Sequence, residues 1–167
     1  LIIACLLILG YIWFRFDMDF APGAVMALIH DATITAGIFS LLGIEFNITT
    51  VAALLAIIGY SVNDTVVVYD RIRENLELSG AGNVPATVNK SINETLSRTV
   101  LTSITTLLAT VCIWFLGGPI LKFFGMALSI GVVVGTYSSV FVASSLMISL
   151  YSWRHQRAHT SAHAGAQ

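Results

Sequence analysis

Residues 48–70, ITTVAALLAIIGYSVNDTVVVYD, decide the fold class of this 167-residue chain. The stretch is long enough to cross a bilayer as a helix, which takes about 20 predominantly apolar residues. Its charged residues are Asp64 and the closing Asp70. Hydrophobic residues make up 56% of the whole chain and charged residues only 10%, whereas a soluble domain carries about 25% charged residues. The sequence therefore predicts an all-α membrane protein.

Further apolar stretches predict a bundle of five transmembrane helices within a transmembrane domain over residues 1–153. The expected spans are about 1–15, 19–43, 48–70, 98–117 and 120–150. Because the chain starts at Leu1 inside an apolar run, we expect the first span to be cut short and upstream sequence to be missing. The tail, 154–167, is rich in alanine, glycine and histidine and is predicted to be disordered.

Basic residues predict the orientation, since cytoplasmic loops carry an excess of Lys and Arg. With five spans, only Lys122 falls on one side of the membrane. The other side holds Arg15, Arg71, Arg73, Lys90, Arg98, Arg154 and Arg157. We therefore expect a cytoplasmic C-terminus and a cytoplasmic connection at 71–97.

The 71–97 connection has apolar residues at helical spacing, namely Val84, Val88, Ile92 and Leu96. Asn83 and Pro85 supply a plausible helix start. This pattern predicts an amphipathic helix on the cytoplasmic surface. Two roles stay open for it: a stiff connector into the fourth span, or a surface that binds a partner.

Ionisable residues inside the spans are the candidate functional groups, because a charge at that depth costs about 2.5–3.5 kcal/mol even on the mildest scale. His30 and Asp31 lie near the middle of the second span, Asp64 beside Asn63 in the third, and Arg98 at the start of the fourth. Each admits two interpretations: a proton-carrying group, or a polar group that is satisfied structurally.

Two polar faces are predicted to meet. Tyr60, Ser61 and Asp64 share one side of the third span by three- and four-residue spacing. The fourth span carries a stripe of hydroxyl side chains that starts beside Arg98. The stripe comprises Thr99, Thr102, Ser103, Thr106 and Thr110. If these faces meet, Arg98 can reach Asp64; otherwise Arg98 extends to the lipid headgroups. In the last span Gly131 and Gly135 form a GxxxG pair, which indicates close helix packing, and we assign Tyr137–Ser139 to packing as well.

The third span also carries a familiar signature. The stretch Gly59 to Asn75, GYSVNDTVVVYDRIREN, resembles the signature helix of the SecF family of bacterial protein-export subunits. Three other stretches support the resemblance: ALIHD at 27–31, NETLSRTVLTSITTLLAT at 93–110 and VGTYSSVFVAS at 134–144. The resemblance covers nearly the whole chain apart from its tail.

The resemblance implies half of a resistance-nodulation-division-type transporter fold in the bacterial cytoplasmic (inner) membrane. It implies SecD, the SecYEG channel and an exported preprotein as partners, with YajC as a further candidate. The lipid bilayer would surround the helices, and no nucleic acid is expected. The proton would be the coupling ion, with no other cofactor. Asp64 would be the proton-linked carboxylate and Arg98 its basic partner. The signature motif would comprise Gly59, Tyr60, Ser61, Asp70, Arg71 and Arg73.

The family's full-length form has six spans with a periplasmic domain after the first, and the chain departs from it by lacking that helix and that domain. Other identities stay open: the paralogous SecD subunit, another exporter of the same superfamily, or a membrane scaffold that transports nothing. An intramembrane aspartyl protease is excluded because no second Gly-x-Gly-Asp helix is present. No nucleotide-binding loop, metal-ligand cluster or nucleophile–base pair appears, so we do not expect an enzyme.

Overall fold

The computed structural model describes residues 2–15, 20–79 and 83–151. They form α1 (Ile2–Arg15), α2 (Ala21–Leu41), α3 (Ile48–Ser79), α4 (Val84–Leu116) and α5 (Gly118–Tyr137). A π-helical segment, Ser138–Ala143, follows α5 directly, and ordinary helix continues from it to residue 151. The predicted all-α class is confirmed. Four helices are long and apolar enough to cross a membrane: α2, α3, α4, and α5 with its continuation to residue 151.

The helices α3 and α4 are longer than the sequence pattern suggested. The predicted connection at 71–97 is mostly helix that continues the two spans, and only residues 80–83 separate α3 from α4. Its charged residues stabilise these extensions through pairs one turn apart, such as Arg73 with Glu77 at 3.1 Å. The segment predicted as a separate amphipathic helix is thus the first part of α4. Asn83 caps α4 as expected, accepting a hydrogen bond from the Ala86 amide at 3.2 Å.

Helix α3 lies at the centre of the bundle and packs against α2, α4 and α5. The GxxxG pair of α5 makes the close approach that its spacing predicted. A β-carbon at Gly131 would collide with the Ile57 side chain, and one at Gly135 would lie 3.3 Å from the Ser61 β-carbon. Small residues therefore let α5 approach the polar face of α3 closely.

Candidate functional site

Asp64 is a buried carboxylate where α3 meets α4 and the π-helical segment. The residue is only 6% exposed. The Thr99 hydroxyl of α4 donates a hydrogen bond to Asp64 Oδ1 at 2.8 Å. The Ser139 hydroxyl of the π-helical segment donates to Asp64 Oδ2. One carboxylate therefore links three parts of the bundle.

Arg98 does not partner Asp64 in this structure. Within the described ranges, no hydrogen bond or ion pair joins the two side chains. Consecutive residues of a helix point about 100° apart, and α4 turns Thr99 rather than Arg98 towards α3. Arg98 is exposed instead. It borders a cavity of about 300 Å³ whose other lining residues are Val67, Asp70, Arg71, Glu74, Glu94 and Thr95.

The π-helical segment is anchored to α3 at two places. Ser139 binds Asp64, and the Tyr69 hydroxyl donates a hydrogen bond to the Ala143 carbonyl at 2.7 Å. Single π turns in α-helices occur frequently at functional sites. The sequence assigned Ser139 to packing, so this partner of Asp64 was missed. The available signal was a pair of adjacent hydroxyls, Ser138 and Ser139, one turn beyond the GxxxG glycines.

A second buried carboxylate, Asp31, lies where α2 meets α3. It is 0% exposed. The Ser61 hydroxyl of α3 donates to Asp31 Oδ2, and His30 Nδ1 lies 3.0 Å from Asp31 Oδ1. The His30 side chain itself is 35% exposed. The structure thus joins His30 and Asp31 to Ser61, a member of the predicted polar face.

The remaining polar face of α3 is divided. The Tyr60 hydroxyl lies 2.9 Å from the Ser103 hydroxyl, which lies 2.7 Å from the Thr136 hydroxyl of α5. Asn63 and Gly59 are both exposed and lie outside this set of contacts. Tyr60 and Ser61 therefore form hydrogen bonds with neighbouring helices, whereas Asn63 has no part in these contacts.

The predicted hydroxyl stripe of α4 is also divided. Its buried members are Thr99, Ser103 and Thr110, which face the bundle. Thr102 and Thr106 bond instead to carbonyl groups of their own helix, at 3.0 and 2.8 Å.

Three buried hydroxyl groups in the described part of the chain have no hydrogen-bond partner there: Thr35, Thr65 and Ser138. Thr35 is one turn beyond Asp31, while Thr65 and Ser138 are the sequence neighbours of Asp64 and Ser139. Buried polar groups are normally paired with protein or with ordered water. Each unpartnered hydroxyl is thus close in sequence to one of the two carboxylates or to Ser139, a partner of Asp64.

The charged end of the α3 signature makes ion pairs with α1 and with α4. Asp70 of α3 binds Arg15 of α1. Arg71 binds both Glu74 and Glu94 at 2.6 Å, and the Asn75 amide donates to Glu94 at 2.9 Å. Hydrogen bonds from Asn75 and Arg71 lower the pKa of Glu94. These contacts fasten the extensions of α3 and α4 to each other.

The arrangement around Asp64 can stabilise a buried carboxylate. When Asp64 is ionised, two hydroxyl donors stabilise its charge.

Comparison with known proteins decides the family. The family model described as "Protein export membrane protein SecD/SecF, C-terminal" matches residues 1–153. The chain belongs to this SecD/SecF family. The predicted resemblance to SecF is confirmed, because protein translocase subunits SecF are similar over most of the chain. That of Koribacter versatilis is 50% identical over 149 residues, which are 89% of this chain and 37% of the relative. That of Desulfurispirillum indicum is 51% identical over 148 residues, 87% of this chain and 47% of the relative.

A solved structure supports the fold. The crystal structure of SecDF from Thermus thermophilus matches with a TM-score of 0.81 and 51% sequence identity, covering 88% of this chain and 20% of that one. The predicted half of a resistance-nodulation-division-type fold is thereby confirmed, and relatives named SecDF show that SecD and SecF are associated. The chain spans between a fifth and about half of the length of these relatives. The family and the four long apolar helices fit a multi-pass protein of the inner membrane.

Proposed function

We propose that the chain is the membrane motor part of a SecF-type translocase subunit, which uses the proton motive force to assist export of polypeptides across the cytoplasmic membrane. It would act with SecD and the SecYEG channel on an exported preprotein, with YajC as a further partner. The family membership and the identity of about 50% to SecF subunits support the proposal. It involves no chemistry on a substrate, so no enzymatic activity is proposed.

Asp64 carries the proposal. A carboxylate that is 6% exposed in an apolar bundle changes its surroundings strongly when its charge changes, because charges interact strongly in a low-dielectric interior. Ionised Asp64 holds Thr99 of α4 and Ser139 of the π-helical segment. Protonation weakens both hydrogen bonds, since each then loses its charged acceptor. Each proton cycle would therefore loosen and tighten the packing of α3 against α4 and α5.

Arg98 keeps a proposed role in this cycle. It precedes Thr99 directly in α4, so a rotation of α4 by about 100° exchanges Thr99 for Arg98 at the face opposite Asp64. The structure has the Thr99-bound arrangement. We propose that an Arg98-paired arrangement is the alternative state, in which a cation stabilises ionised Asp64. Asn63, beside Asp64 on the exposed side of α3, is proposed to assist proton access.

The proposal is tested with the full-length parent protein in cells depleted of their own subunit, by following export of a secreted reporter that depends on the proton motive force. Asp64→Asn keeps the shape and one acceptor oxygen of the side chain but removes the exchangeable proton. We expect export to fall to the level of depleted cells. Glu77→Gln is the matched control, because it removes a charge from the exposed end of the same helix, and export should be unchanged.

A membrane scaffold is the second candidate, favoured by the fact that Asp64 already makes two hydrogen bonds as a structural group would. A scaffold tolerates the charge-free double change Asp64→Asn with Arg98→Gln, whereas a proton carrier does not. Full export by Asp64→Asn at normal protein levels would remove the proton-carrier proposal and leave the scaffold.

A further inference from the structure

We propose that His30 and Asp31 form a second proton-binding site, coupled to Asp64 through Ser61. This inference rests on the proposed proton-carrying function of Asp64 and deepens it. The coupled site would hold a proton while Asp64 is ionised. It would thus store the proton next to the group that uses it.

A proton held by the pair would compensate the buried charge of Asp31. Asp31 is 0% exposed, and its hydrogen-bonding partners are Ser61 and His30. Among the residues that the structure describes, no Lys or Arg side chain contacts it. An isolated buried carboxylate is strongly unfavourable and takes up a proton or gains a cation instead. One proton, held by either His30 or Asp31, makes the pair neutral as a whole.

His30 is the more accessible member of the pair. Its side chain is 35% exposed, whereas that of Asp31 is fully enclosed. Because Nδ1 faces Asp31, Nε2 lies on the opposite edge of the ring. An imidazole can carry a proton on either nitrogen and can pass one between its two edges by exchange. The geometry therefore provides an entry to a carboxylate that has no surface of its own.

Coupling to Asp64 follows from the position of Ser61. Ser61 binds Asp31, and it precedes Asp64 by three residues, which places both side chains on one face of α3. Two carboxylates at the same face of one helix repel each other when both are ionised, and an apolar interior screens this repulsion weakly. A proton on the pair therefore stabilises ionised Asp64, and a proton on Asp64 favours release from the pair.

Charged groups also lie on the other helices of the bundle. Arg98 of α4 is exposed and borders the cavity beside Asp70 and Glu94. Arg15 of α1 and Asp70 of α3 bind each other. Lys122 of α5 is exposed and lies about three and a half turns before Gly135, the residue that contacts Ser61. Among the charged residues of α3, Asp64 is thus the nearest in sequence to Ser61.

Unpartnered hydroxyls provide a second, independent observation. Thr35 lies one turn from Asp31, and Thr65 adjoins Asp64 on the α3 helix. Ser138 adjoins Ser139, the hydroxyl that binds Asp64. Buried hydroxyls of this kind are normally satisfied by ordered water. Each of the three hydroxyls is thus adjacent in sequence, or one helical turn away, to a residue of the two proposed proton sites.

The test is a titration that does not depend on transport. The full-length protein, labelled with ¹⁵N at histidine and reconstituted with SecD, is titrated by NMR, and His30→Gln identifies the His30 signals by difference. We expect a proton on His30 that is released within the titration. Asp31→Asn and Asp64→Asn should each displace the His30 transition, and Glu77→Gln should leave it unchanged.

If the proton resides on Asp31 instead, His30 stays neutral and an infrared band of a protonated carboxyl appears that Asp31→Asn removes. Absence of both signals would overturn the second site. A His30 or Asp31 transition that ignores Asp64→Asn would overturn the coupling. The proposed function fails in a different experiment, namely when Asp64→Asn supports full export. That result would not change the titrations of His30 and Asp31, so the two failures can be told apart.

Discussion

Asp64 is held by single hydroxyl groups from two different parts of the bundle, so each donor can be removed separately. A hydrogen bond to a charged group contributes about 1.5–3 kcal/mol. Ser139→Ala removes one of the two donors to the ionised carboxylate, so proton transport by the variant should depend on pH differently from transport by the unaltered protein.

The measurement is proton flux into vesicles containing the full-length protein, recorded over a range of external pH. Ser149→Ala is the matched control, because the exposed Ser149 hydroxyl donates only to the Ser145 carbonyl of its own helix, at 3.0 Å. A Ser139→Ala profile that overlays that of the unaltered protein would show that Ser139 does not set the proton affinity of Asp64.

Sequence reasoning found the residues that carry charge but not all of their partners. Asp31 and Asp64 stood out because a carboxylate in an apolar span is expensive whatever its neighbours are. The partner of Asp64 depended on the rotation of α4, and a single residue step decides between Arg98 and Thr99. No pattern in an apolar helix fixes that rotation. Ser139 was missed because serine in membrane helices often serves packing alone.

At the scale of helices, the contact between α3 and α5 depends on Gly131. An added β-carbon would collide with several atoms of the Ile57 side chain, so Gly131→Ala must displace that side chain or the helix. Overpacking of this kind destabilises by about 1–3 kcal/mol. We expect a lower apparent unfolding temperature in detergent, measured by circular dichroism.

Gly37→Ala is the control for this change, because a β-carbon at Gly37 in α2 meets nothing within 4 Å. Its unfolding temperature should stay the same or rise slightly, since alanine favours helix over glycine. Ile57→Ala removes the side-chain atoms that the added β-carbon would meet. Gly131→Ala should therefore lower the unfolding temperature less in the Ile57→Ala protein than in the unaltered protein. Equal unfolding temperatures for Gly131→Ala and Gly37→Ala would contradict the close packing.

The helices were predictable in number and type, but not in length. Apolar stretches marked the spans, whereas the charges of residues 71–97 suggested a separate connection. Those charges are instead satisfied along and between helices, as in the contacts of Arg71 and Asn75 with Glu94. The π-helical segment has no sequence signature in the apolar helix that contains it, so only the structure located it.

At the scale of the molecule, basic side chains gather at one end of the bundle. Arg15 at the end of α1 reaches Asp70, and Arg71 reaches Glu94 near the start of α4. Lys122 lies in the first turns of α5, after the full apolar length of α4. We propose that the end with Arg15 and Arg71 faces the cytoplasm, by the excess of positive charge there.

Cysteine labelling tests this orientation. With Cys5 and Cys112 replaced by serine, Ser79→Cys and Lys122→Cys are introduced singly into the full-length protein. A maleimide that does not cross membranes should label Lys122→Cys in intact spheroplasts and Ser79→Cys only after permeabilisation. The reverse pattern would contradict the proposed topology and the cytoplasmic C-terminus with it.

The proton on Asp64 is the central claim, and infrared titration of the full-length protein with SecD tests it most directly. The account predicts a carbonyl band of a protonated carboxyl that disappears as the pH rises and that is missing at every pH in Asp64→Asn. The band should persist in Glu77→Gln. A spectrum in which Asp64→Asn removes no titrating carboxyl band would contradict the account, because Asp64 would then keep one charge state throughout.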